Sequence, residues 1–294
     1  MTISTKVRVA GYAHLLVAVL CVGLVVGALV GPSVIRADVD PAPIGEGVVT
    51  AEDGYRLVPE VSSVDPAGGA FRFQIQDQDG EPMLQYEELH ERPLHLIVVS
   101  RDLEVFHHVH PTLDDAGTWS VELPVLPAGS YRAITDFWIT DGPRLALGVD
   151  LSVAGAYEPS TPAEPTTTSH VDGYEVTLDA TTDSTGEVSA TLVVRRDGEL
   201  VEPEPYLGAN GHLVALRAGD LAYAHVHPDD AAEGDDDAGD DDAGVAAGVR
   251  FEATLDSAGR YGLFFDFRHG GAVHTATFTF DQMPVTEPVE MEMS

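Results

Sequence analysis

Two stretches of equal length decide the fold: HLIVVSRDLEVFHHVHP, from His95 to Pro111, and HLVALRAGDLAYAHVHP, from His212 to Pro228. Each opens with a histidine and four apolar residues, passes through a polar turn and closes on His-x-His-Pro. His95 and His108 are 13 residues apart, as are His212 and His225. The likeness continues outward. Gly129-Ser-Tyr-Arg-Ala-Ile-Thr-Asp-Phe137 matches Gly259-Arg-Tyr-Gly-Leu-Phe-Phe-Asp-Phe267 without a gap, and Asp79-Gly80 and Asp197-Gly198 each close an apolar alternation. Self-similarity of this kind is the mark of an internal repeat. The chain therefore reads as a duplication, with copies at 49–154 and 169–281. A Pro/Thr-rich linker at 155–168 is expected to be extended and mobile. The tail, 282–294, lacks periodicity and is expected to be disordered.

Within each copy the apolar period is two: Phe71/Phe73/Ile75, Leu192/Val194, Tyr131/Ala133/Thr135/Phe137 and Thr275/Thr277/Thr279. That is strand spacing, and Asp-Gly, Pro-Ala-Gly and Ser-Ala-Gly supply the turns. The expected fold is all-β: two tandem immunoglobulin-like or cupredoxin-like sandwiches, with a small barrel as the alternative. At 294 residues the chain has room for two such domains. Its one cysteine, Cys21, excludes an intrachain disulfide.

Val9 to Ile35 is a run of 27 residues without a formal charge, preceded by Lys6 and Arg8. It exceeds the usual signal-peptide apolar region and suffices to span a bilayer. Residues 1–36 are thus expected to be a cytoplasmic stub and an uncleaved single-pass transmembrane signal anchor. The positive-inside rule then places both copies in an extracytoplasmic position at the cell membrane. The net charge is −34, with Lys6 the only lysine. Such a surface repels phosphate backbones, which excludes nucleic acid as a partner and gathers cations. Nine of the 49 acidic residues lie in an insertion at 229–244, which has no calcium-loop spacing and reads as a solvated loop.

If 95–110 is a β-hairpin with an even loop centred between Arg101 and Asp102, His95 lies directly opposite His108. The equivalent loop centred between Ala218 and Gly219 places His212 opposite His225. His110 and His227, two residues further along, share the same faces. Each copy then presents three imidazoles on one patch, His95/His108/His110 and His212/His225/His227. That donor set suits tetrahedral zinc(II) or copper(II) with an open position, copper(II) being the tighter binder of imidazole. Asp136 and Asp266 precede the matched phenylalanines and are candidates for a fourth ligand or a carboxylate that orients a ring. His90 is a possible extra ligand in the first copy, with Tyr206 near the corresponding place in the second. His269 and His274 read as surface residues.

The run from Pro93 through His108-Val-His-Pro111 and Gly129-Ser-Tyr-Arg132 resembles membrane-attached or secreted bacterial proteins of heavy-metal handling, with YtkA-like and CopC-like immunoglobulin-fold domains. The resemblance implies extracytoplasmic copper handling. Two readings from other classes stand beside it. One is a non-enzymatic interaction module of tandem sandwiches that binds a protein or a sugar. The other is a small zinc-dependent hydrolase or hydratase, since His-x-His on one strand with a third histidine on its neighbour is also how α-carbonic anhydrases hold zinc. No nucleophile elbow and no Gly-rich phosphate loop is present.

Overall fold

A computed structural model of the chain describes residues 45–283 other than 159, 162, 184, 185, 225, 229–247 and 256. For His227 and Pro228 it describes the backbone alone. The signal anchor expected at 1–36, the acidic insertion and all but the first two residues of the tail lie outside the described residues. No helix among the described residues is long and apolar enough to cross a membrane.

The described elements are strands. The first half has β1 (Ala51–Glu52), β2 (Tyr55–Pro59), β3 (Ser63–Val64), β4 (Gly69–Gln76) and β5 (Tyr86–Glu87). It continues with β6 (Leu94–Ser100), β7 (Phe106–Val109), β8 (Thr112–Leu113), β9 (Trp119–Leu123), β10 (Gly129–Ile139) and β11 (Arg144–Val153). The second half has β12 (Thr168–Val171), β13 (Tyr174–Thr182), β14 (Glu187–Arg196), β15 (Glu199–Val201) and β16 (His212–Arg217). After these come β17 (Tyr223–Ala224), β18 (Val226–Pro228), β19 (Val249–Thr254), β20 (Gly259–His269) and β21 (Ala272–Gln282).

Each half is a pair of sheets closed over its own core. In the first, β1-β2-β4-β9-β8 lies against β3-β11-β10-β6-β7; in the second, β12-β13-β14-β19-β18 lies against β17-β16-β20-β21. Apart from β3, β5 and β15 the order runs in parallel. Phe71, Phe73 and Ile75 of β4 meet Leu94, Leu96 and Val98 of β6 and Phe137 of β10. Val188, Ala190, Leu192 and Val194 of β14 meet Leu213 and Ala215 of β16 and Phe265 and Phe267 of β20. Alternate residues face inward because the pleat sends successive side chains to opposite faces. Both halves carry a tyrosine corner: Tyr131 donates to the Pro127 carbonyl (2.7 Å) and Tyr261 to that of Ser257 (2.9 Å). That device belongs to immunoglobulin-like sandwiches.

A third apolar cluster lies outside both sandwiches. Ile97, Val99, Ile134 and Ala146 of the first half pack with Val214, Leu216, Leu221 and Phe264 of the second. Phe106 stacks on Phe264 with ring centroids 4.0 Å apart and planes 5° from parallel. All seven residues of β6 are consequently buried. The residues on its outward face, His95 among them, lie against the second half.

The hairpin register differs from the expected one. Ile97, not His95, pairs with His108, and Leu96 pairs with Val109. The loop has four residues, with Leu103 in the left-handed region at φ 64°, so the register moves by two. An even shift preserves the face, and His95 and His108 still point the same way as diagonal neighbours. The second half shows the same shift, with Ala215 opposite Ala224. There β18 then pairs with β19 in the other sheet, His227 lying opposite Glu252. The linker is hydrogen-bonded at its end: Thr166 N–H donates to the Thr279 carbonyl and Leu178 N–H to that of Thr167.

Candidate functional site

His95 is the second residue of β6 and is 5 % exposed. Its Nε2 lies 2.8 Å from the Leu89 carbonyl oxygen. A carbonyl only accepts, so Nε2 carries the proton and Nδ1 presents a lone pair. Leu89 is held by a tight turn through His90 and Glu91, both left-handed at φ 47° and 62°, which closes by paired Leu89–Arg92 backbone bonds. His212, the first residue of β16, is held alike, its Nε2 2.9 Å from the Tyr206 carbonyl, beside a turn through Leu207 and Gly208 at φ 54° and 78°. The residue in the place of His90 is therefore Leu207, next to Tyr206.

His108 and His110 alternate along one edge and meet His95. His108 Nε2 lies 2.9 Å and His110 Nε2 3.2 Å from His95 Nδ1. One ligand nitrogen from each of the three falls within 4.8 Å of the other two. Pro111 follows and cannot donate to a ladder, and the chain crosses to the opposite sheet, where Thr112 pairs with Ser120. The three rings thus sit where one strand leaves one sheet for the other.

Burial disfavours the charged form of His95, His110 and His212. His95 is pushed down to about 3 by burial and then by His108. His110, partly buried, is pushed down to about 2 by burial, then by His108 and His95, with Arg92 adding to the effect. His212 is pushed down to about 4, again mainly by burial. Clustered imidazoles out of water disfavour protons and leave lone pairs for another cation.

The two aspartates hold distinct positions. Asp136 lies opposite His95 across the ladder, and it receives Arg144 at 3.2 and 2.9 Å and the Tyr223 hydroxyl at 3.0 Å. Asp266 lies opposite His212, yet its Oδ2 is 2.9 Å from His108 Nδ1, in the other half. Neither belongs to the group of three convergent ligand atoms, which is His95, His108 and His110. His90 stands close by, with ring centroids 6.0 Å from His95 and 5.3 Å from His212.

Of the six histidines expected to form two sets, the structure describes the side chains of four, His95, His108, His110 and His212. His95, His108 and His110 come together. His212 comes to the same place from the second half, its ring 6.3 Å from that of His108. His225 and the side chain of His227 lie outside the described residues. His269 and His274 lie elsewhere, around Tyr174 and Asp172: Tyr174 Oη is 2.7 Å from His269 Nδ1 and Asp172 Oδ2 is 2.8 Å from His274 Nδ1. Sequence reasoning missed the Leu89 and Tyr206 carbonyls and the meeting of the two halves. One signal was available. The unbroken apolar run after His95 is what a strand covered on both faces looks like.

Residues 169–283 match the family model of a domain of unknown function, DUF8832, and this range spans most of the second half. No curated protein matches the chain. Several solved structures are similar. The BSP domain of a biofilm-associated protein shares 9% identity, with 80% of this chain and 30% of that one covered, at a TM-score of 0.22. The chain therefore spans under a third of that protein's length. Domains 5–6 of the S-layer protein SbsC share 12%, with 78% and 97% covered and a TM-score of 0.22. The Ig1–2 module of a Drosophila receptor protein tyrosine phosphatase, DLAR, shares 7%, with 77% and 96% covered and a TM-score of 0.21. At such scores these likenesses carry no argument about function.

Proposed function

We propose that this chain is a non-enzymatic β-sandwich binding protein whose first half holds one divalent transition metal, copper(II) or zinc(II), through His95, His108 and His110. The observation that carries the reading is the convergence of three imidazole nitrogens on one point, 2.9 and 3.2 Å from His95 Nδ1. Three nitrogens about 2.0–2.1 Å from a tetrahedral ion stand roughly 3.3 Å apart, close to the two distances from His95 Nδ1, and all three nitrogens lie within 4.8 Å of one another. Copper(II) is the favoured ion on the general order of affinities. His212, His225 and His227 are proposed to supply a second equivalent, and the two halves are read as tandem copies of one domain. The anchor at 1–36 and the extracytoplasmic placement remain part of this proposal on sequence grounds alone.

Titration of the full chain with copper(II) and zinc(II), with elemental analysis, tests it. His108→Ala should remove one equivalent and His225→Ala the other. A His108→Ala chain with the parent's stoichiometry would sink the metal reading.

The second reading is the interaction module. Large apolar side chains left in solvent, Val125 at 70 % and Trp138 at 43 % exposure, are the observation on its side. A chain that takes up neither metal leaves this reading in place.

A further inference from the structure

We propose that Asp266, carried by the second half, is the positioning residue that readies His108 for metal, so that the first-half centre is complete only when the two halves are docked. The inference rests on the metal-binding reading and goes beyond it by assigning the group that orients one ligand.

A ring nitrogen coordinates through its lone pair, so the proton of a neutral imidazole must sit on the other nitrogen. For His95 the Leu89 carbonyl holds it there. For His108 the acceptor comes from 158 residues further along the chain: Asp266 Oδ2, 2.9 Å from Nδ1. A carboxylate only accepts, which keeps the proton on Nδ1 and leaves Nε2 as a lone pair aimed at the cluster. Asp266 is itself held. It is 4 % exposed, and the Thr275 hydroxyl donates to its other oxygen at 2.5 Å.

The docking that delivers the carboxylate is visible two residues away on each side. Phe264 precedes Asp266 on β20, Phe106 precedes His108 on β7, and these two rings form the 4.0 Å stack. One pair of strands therefore carries both the apolar contact and the polar one. An ion pair that only joined the halves would give the same contact distance but would not influence the affinity for metal.

The test is titration of the full chain and of its Asp266→Asn variant with copper(II) and zinc(II). Nitrogen-15 NMR of the metal-free parent's histidine rings, recorded above the ordinary histidine range, accompanies it. The expected results are an Nδ1-protonated His108 in the parent and a metal affinity about 10–100-fold lower in Asp266→Asn at unchanged stoichiometry, because an amide can donate to Nδ1 and favour the wrong tautomer. Thr275→Val, which leaves the contact with His108 in place, should weaken binding less. Equal affinity in Asp266→Asn, or an Nε2-protonated His108 in the parent, would overturn the proposal. The NMR reading needs no variant to fold. A parent that binds neither metal removes the metal reading together with this one, whereas binding that is indifferent to Asp266 removes this one alone.

Discussion

At the scale of single residues, the cluster ties stability to pH. His95 and His110 titrate at about 3 and about 2 in the folded chain and near 6.5 when unfolded. Between those values the unfolded chain binds more protons, so stability rises with pH through that interval. It is fully present above about 6.5 and drains away as pH falls toward about 3. Thermal unfolding of the metal-free chain should show a midpoint that drops over this window. His110→Gln, which has no ring to protonate, should drop less. A parallel pair of profiles would mean that His110 is not held neutral. Bound metal adds a second acid dependence in the same direction, because protons compete for the same nitrogens.

At the scale of elements, the hairpin and the segment beside it bring the rings together. Gly45–Val49 runs along β11: Gly47 N–H donates to the Ala146 carbonyl (2.9 Å) and Gly148 N–H to that of Val49 (2.8 Å). The same segment touches the second half, where Tyr223 N–H donates to the Glu46 carbonyl at 2.8 Å. Buried Arg132 donates to the carbonyls of Gly47 and Val48. This close approach depends on Gly148 having no side chain, since a Cβ there would stand 2.0 Å from the Gly47 oxygen and 2.6 Å from Arg132 Nε. Gly148→Ala is expected to cost about 3 kcal/mol or more in denaturant unfolding, through displaced backbone and orphaned Arg132 donors. A cost under about 1 kcal/mol would show that the segment can leave without harm. The two tyrosine corners offer a matched comparison. Tyr131→Phe and Tyr261→Phe each remove the corner bond to a carbonyl, worth about 1 kcal/mol, and Tyr261→Phe should cost more because Arg217 also bonds that hydroxyl.

At the scale of the whole molecule, the two halves are joined by an apolar face of the kind found inside domains. Phe264 is 1 % exposed and stacked. Phe264→Ala should cost about 3–5 kcal/mol and reduce protection from hydrogen exchange in β6 and β16 together. Loss confined to β20 would show that the halves do not depend on one another.

Much of the architecture was legible in the residues themselves. Alternation at Phe71/Phe73/Ile75 and at Leu192/Val194 marks inward faces because the pleat has period two, a property no tertiary contact can change. The common face of His95, His108 and His110 followed from parity, which survived a register error of two residues. What the sequence could not set was the register, because a loop of four residues with a left-handed Leu103 was as open to it as a shorter one. Nor could it show that the outer faces of the two halves meet. The reach of Asp266 to His108 and the arrival of His212 beside the cluster depend on how two finished sandwiches pack. That packing is decided by the fit of Ile97, Val99 and Phe106 against Val214, Leu216 and Phe264, surfaces that exist only once each half has folded.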